Sequence, residues 1–242
     1  MPVSARKLVY DFNRKLNAFN TSTGQKYSIV DCVSAINEAW EVIYENNVKL
    51  AEKDSFKRNT LRQLEIKNSS LKFKEVDGNY FVTYPKDLYH RLNHYVIASG
   101  VDDCKGQEKM IVPRIVQSDD LHKTRLDPYW KANFAWEQLP MDEAQNGFWL
   151  YTDGKMEIKK VVIDYYKRLT YIQAPSLVSC PEHVYEDYDA RLITSDVDFE
   201  VDSTYLARKV VDVAVFMAHR DTQDTTGFQT QLQKISVLEN MS

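Results

Sequence analysis

Glycine is scarce in this chain: seven residues in 242, at positions 24, 78, 100, 106, 147, 154 and 227. A phosphate-binding loop needs two glycines flanking four residues and then Lys-Ser/Thr. The dinucleotide fingerprint needs glycines two and five residues apart, so that the backbone can approach pyrophosphate. No pair here has either spacing, which excludes both kinds of nucleotide enzyme. A Gly-x-Ser-x-Gly nucleophile elbow is missing too, since Ser99-Gly100 lacks the first glycine. Cysteine is also sparse. Cys32, Cys104 and Cys180 are odd in number and far apart, which argues against a disulfide framework and against paired-cysteine metal clips, and fits synthesis in a reducing cytosol.

No apolar run approaches the roughly 20 residues that span a bilayer. Leu8-Val9-Tyr10-Asp11 interrupts any signal-peptide segment, so nothing is expected to direct the chain out of the cytoplasm, and no membrane partner is expected. Neither sign of charge dominates: 31 basic and 35 acidic residues give a formal net charge of −4, and they are mixed along the chain. A dedicated nucleic-acid binder would show a basic stripe, and none is visible.

What is present is ordinary globular usage, 43% hydrophobic and 27% charged, with enough chain to fold without covalent staples. Ala5, Leu8, Val9, Phe12, Leu16 and Phe19 recur at helical spacing and predict a helix over about 4–20. Ser28, with Asp31 three residues on, predicts a capped helix that carries Ile29, Cys32, Val33, Ile36, Ala39, Trp40, Ile43 and Tyr44 to about Ala51. Beyond Leu61 the period shortens. Asp77-Gly78-Asn79 between Leu71–Val76 and Tyr80–Thr83 predicts a β-hairpin. Further strands are expected at 94–99, at 109–116 broken by Pro113, at 147–152 and at 156–169. Asp119 to Gln138 reads as a long excursion that packs a few aromatics. Asp202-Ser203 predicts a cap for a largely buried helix through Leu206, Val210, Val213, Ala214 and Met217.

The expected fold class is α+β, with helices first, a mostly antiparallel β domain in the centre, then a helix and an extended or helical arm. The expected regions are 1–58 (helical), 59–180 (β-rich), 181–221 (connecting segment and helix) and 222–242 (arm). In the arm, Phe228, Leu232, Ile235 and Leu238 recur at three- and four-residue spacing and form a candidate partner-binding face.

Candidate chemistry is thin. His90 and His94, four apart, would share a helix face as zinc ligands do, but His90-Arg91-Leu92-Asn93-His94 carries no glutamate base; the pair reads as partly exposed histidines flanking the start of a strand. His122, His183 and His219 read as surface or cap residues. Asp196, Asp198, Glu200 and Asp202 alternate with Val197, Phe199 and Val201, which on an extended segment projects the carboxylates to one side. A calcium loop would need glycine at Val201 and glutamate at Ala207, so the reading is a solvated acidic face that could line a channel for DNA. Scattered carboxylates such as Asp142 and Glu143 could serve a hydrolase if two acids converged from distant strands, but a solvated loop is the favoured reading of them. No catalytic residue, metal site or cofactor is expected, nor enzymatic activity. The fifteen tyrosines suit either sheet packing or an interface.

Leu61-Arg62-Gln63-Leu64, Tyr80-Phe81-Val82-Thr83-Tyr84-Pro85-Lys86-Asp87-Leu88-Tyr89-His90, and the later strand Lys160-Val161-Val162-Ile163-Asp164-Tyr165-Tyr166-Lys167-Arg168 carry a resemblance. Over about 60–180 the chain resembles head-to-tail connector and ring (adaptor) structural proteins of tailed bacteriophages infecting Bacteroidetes, the crAss-like group included. Tyr84 stands where that pattern often has leucine. The resemblance implies a virion protein of the neck or tail, made in the bacterial host cytoplasm, about twelve copies in a ring, in contact with the portal or with neighbouring tail or neck proteins, around a channel that passes double-stranded DNA without specific binding. A closed ring of identical subunits needs two different complementary faces on each copy and no catalytic pocket. The alternative is a tail-associated receptor- or glycan-binding module that uses Trp130, Trp136 or Trp149 as stacking platforms.

Overall fold

The computed structural model describes residues 3–19, 27–101, 107–178 and 195–221. The fold is α+β and divides into two units. Residues 64–168 form one, and the chain on either side of them forms the other. The β-rich unit is therefore an insertion, and the helical N-terminal region shares its unit with the C-terminal helix.

The helical unit begins with α1 (Ala5–Phe19) and α2 (Ile29–Leu50), followed by the short α3 (Ser55–Leu61). Helix α1 buries Ala5, Leu8, Val9, Phe12 and Leu16, the stripe its spacing predicts. Helix α2 starts as expected: the Asp31 amide donates to Ser28 Oγ at 3.1 Å, and the Ser28 amide donates back to the Asp31 carboxylate at 3.2 Å.

The chain then enters the β unit through β1 (Glu65–Leu71), β2 (Phe73–Val76), β3 (Asn79–Thr83), β4 (Leu88–Gly100), β5 (Glu108–Ile111) and β6 (Arg114–Ile115). After helix α4 (Leu121–Leu126) come β7 (Pro140–Ala144), β8 (Gly147–Leu150) and β9 (Met156–Lys167). The β2–β3 hairpin turns on Asp77 and Gly78, both at positive φ (50° and 74°), the conformation that two-residue hairpin loops favour. Two sheets form, ordered β1-β9-β4-β5 and β2-β3-β8-β7-β6. All pairings are antiparallel except β6 with β7. Val96, Ala98, Ile158, Val161 and Ile163 of the first sheet share one buried cluster with Tyr80, Val82, Met141, Phe148 and Leu150 of the second, so the unit is a β-sandwich. The chain passes between sheets at both edges, through Lys72 on one side and Val112-Pro113 on the other.

Helix α5 (Thr204–Asp221) closes the helical unit. The Leu206 amide donates to Ser203 Oγ at 3.2 Å, as the cap reading requires, and Leu206, Ala207, Val210, Val211, Ala214 and Val215 are buried. His219, expected at the surface or at a cap, is buried instead, because it falls on the same stripe one turn past Val215. No helix among the described residues is long and apolar enough to cross a membrane.

Candidate interaction surface

His90 and His94 lie inside β4, not on a helix. Four residues along a strand separate side chains by roughly 13 Å, so they share no metal. His90 is exposed, whereas His94 is half-buried with its ring edge-on to Phe148, centroids 6.3 Å apart. Burial, reinforced by the nearby Arg91 guanidinium, pushes the His94 pKa below the usual histidine value. Arg91 also donates to Tyr84 Oη at 3.3 Å and pairs with Glu143, which ties β4 to β7. Burial raises the Tyr84 phenol, so it stays neutral. Asp142 and Glu143 are consecutive on β7 and project to opposite faces; Asp142 accepts from Ser118 Oγ at 2.8 Å. The two carboxylates therefore do not converge on one site. Among the described residues no group of three His, Cys, Asp or Glu could hold a metal ion.

The acidic segment alternates as its sequence suggests: Phe199 and Val201 are buried, while Asp198 and Asp202 are exposed. The Asp196, Asp198 and Glu200 carboxylates accept hydrogen bonds within the helical unit. Asp196 accepts from the Ser176 amide (3.0 Å) and hydroxyl and pairs with Arg6 at 3.3 Å, and the Ser176 hydrogen bonds hold its pKa below the ordinary carboxylate value. Asp198 accepts from the Ala5 amide at 2.9 Å, capping α1 from a distant part of the chain. Glu200 accepts from the Thr170 amide at 2.9 Å and from its hydroxyl at 3.2 Å. The Asp202 amide donates to Gln63. The segment acts as a clasp that joins residues 170–176 to the N-terminus. The arm residues Phe228, Leu232, Ile235 and Leu238 lie outside the described residues.

The surface that the sequence did not disclose lies along the β5–β6 edge of the sandwich. Met110, Val112 and Ile115 on that edge, with Leu126, Tyr129, Trp130 and Trp136 from the excursion, are 49–70% exposed. Two cations hold the excursion against the edge. Lys109 of β5 donates to the Ala135 carbonyl at 3.1 Å and stands over the Phe134 ring at 5.1 Å; the Arg114 guanidinium of β6 lies 3.9 Å from the Trp130 centroid. Seven side chains so exposed, at roughly 200 Å2 each, offer on the order of 800 Å2, one partner's share of a standard interface. That is more than the few hundred Å2 an isolated monomer usually leaves open. The opposite edge differs: Lys67, Lys72, Lys74 and Glu75 stand exposed along β1 and β2, the charges that keep a sheet edge from pairing.

Of the three tryptophans offered as stacking platforms, Trp149 is half-buried against Phe81 at 5.0 Å, and one face of Trp130 is already taken by Arg114. Trp136 is exposed, and its amide donates to Asn133 Oδ1 at 3.1 Å. Comparison with known proteins adds no identity: no protein-family model and no curated protein matches the chain.

Proposed function

We propose that this protein is a structural subunit of a tailed-phage virion that forms a ring in the head-to-tail connector or upper tail, around a channel for double-stranded DNA. The observation that carries the reading is the apolar β5–β6 edge, exposed over an area that a subunit contact would cover and set opposite an edge protected by charge. Head-to-tail closure needs two complementary faces on each copy, and the apolar edge supplies one of them, while the charged edge keeps β1 and β2 from pairing as bare strands. The resemblance to connector and ring proteins, over about 60–180, contains the whole β unit and supports the same reading. The protein's binding energy is then used in contacts with copies of itself and with the portal or its neighbours, and not in catalysis.

Native mass spectrometry of the full chain, alone and mixed with the portal of the same phage, tests this. A closed multimer, formed alone or on the portal, is the expected result. A monomer under both conditions, or a chain that binds glycans on an array with no self-association, would overturn it.

A further inference from the structure

We infer that the cleft between α1 and α5 binds phosphate groups. Its floor is apolar, made by Val3, Leu8, Ala207 and Val211, all buried. Around that floor stand Lys7, Arg14 and Lys15 from α1 and Arg208 from α5, in a cavity of about 340 Å3. The sequence hides this arrangement because its members come from positions 7–15 and 208. Lys7, Asp11 and Arg14 fall on one stripe of α1, and Thr204, Arg208 and Val211 on one stripe of α5, and the packing of the two helices brings the stripes together.

The charge balance favours an anion. Of the four cations, Lys15 pairs with Asp212 at 2.7 Å and Arg14 with Asp11 at 3.3 Å, so two carboxylates offset two cations and two positive charges remain. Lys7 and Arg208, both exposed, pair with no carboxylate among the described residues. This surplus sits in a chain of net charge −4, above a low-dielectric floor that strengthens its field. A single carboxylate would need one guanidinium. A phosphate, with several oxygens and up to two charges, matches cations converging from two helices, and the volume admits two linked phosphates. The ligand is therefore a phosphodiester backbone or a small polyphosphate. This assignment stands independently of the ring reading, since a monomer would bind as well as an assembled copy.

The test uses the full chain with two probes: inorganic pyrophosphate by calorimetry, and a fluorescent DNA duplex by anisotropy over 50–200 mM salt. Wild type is expected to bind at least one of them, and K7E/R208E to lose at least tenfold in affinity. K53E/R58E, the same charge change at exposed positions elsewhere in the helical unit, should bind as wild type does. Duplex binding whose log–log salt slope is roughly −2 to −3 identifies a backbone contact of two or three phosphates, and pyrophosphate binding alone identifies a small polyphosphate. Failure of wild type to bind either probe, undiminished binding by K7E/R208E, or an equal loss in K53E/R58E would overturn the assignment. Circular dichroism of each variant checks that it is folded.

Discussion

Trp40 is fully buried on α2, 5.0 Å from the Phe199 ring, and its indole N–H has no hydrogen-bond partner among the described residues. Trp40→Ala should cost about 3–5 kcal/mol in chemical denaturation, as large cavities do. Trp40→Phe should cost clearly less, because it keeps most of the ring and removes an unpaired donor. Gly147 makes a different demand: a Cβ there would meet the Val82 carbonyl oxygen at 2.0 Å, so Gly147→Ala should destabilise the sandwich by roughly 1–3 kcal/mol or shift the β3–β8 pairing. Asp196 sets an acid limit. Its folded pKa lies below the ordinary value, so the unfolded chain takes up the proton first as pH falls. The stabilisation is present above the ordinary carboxylate value of about 4 and is lost progressively as pH falls through the lower folded value. Denaturation curves of wild type and Asp196→Asn, measured from pH 7 to pH 3, should converge at the acid end.

Among the elements, α2 depends on its capping box. Ser28→Ala should cost about 1 kcal/mol of helical-unit stability, measured by far-ultraviolet circular dichroism on heating. Strand β4 carries the second pH dependence. Because His94 has a folded pKa below the usual histidine value, the unfolded state is protonated first as pH drops through about 6.5, and the sandwich loses stability from there downward. His94→Gln should flatten that slope between pH 7 and 5. The elements were unevenly legible. Helices α1, α2 and α5, the β2–β3 hairpin and β9 follow from their own periodicity and caps. Strand β7 was missed, because Pro140-Met141-Asp142-Glu143-Ala144 has poor strand chemistry and is held by β8 and β6 on either side. Strand β4 runs six residues further back than its apolar run suggests, since its polar half is paired along β9.

At the scale of the whole molecule, the insertion of one unit into the other has a testable consequence. The Lys167 amide donates to the Leu64 carbonyl at 3.0 Å, so the β unit begins and ends at one place. Residues 64–168 expressed alone should fold, and a short Gly-Ser linker in their place should leave a helical unit that melts cooperatively; scanning calorimetry of each piece would check this. Assembly belongs to the same scale. If the β5–β6 edge is the contact between copies, L126D/W130A should dissociate the multimer while leaving the melting temperature of the isolated β unit within a few degrees, because both side chains face solvent.

What the sequence determined by itself was local. Apolar spacing, Ser and Asp caps and a two-residue Asp-Gly turn specify elements through neighbours three or four positions away, and these appear where expected. The tertiary structure decided everything that depends on distant positions meeting. It engaged the Asp196, Asp198 and Glu200 carboxylates in a clasp, buried His219, set the apolar β5–β6 edge against the excursion that follows it, and brought Lys7 and Arg208 to one cleft. Side-chain periodicity reports which face of an element is apolar. Only the packing of one element on another reports what that face covers, and which charges are left without a partner.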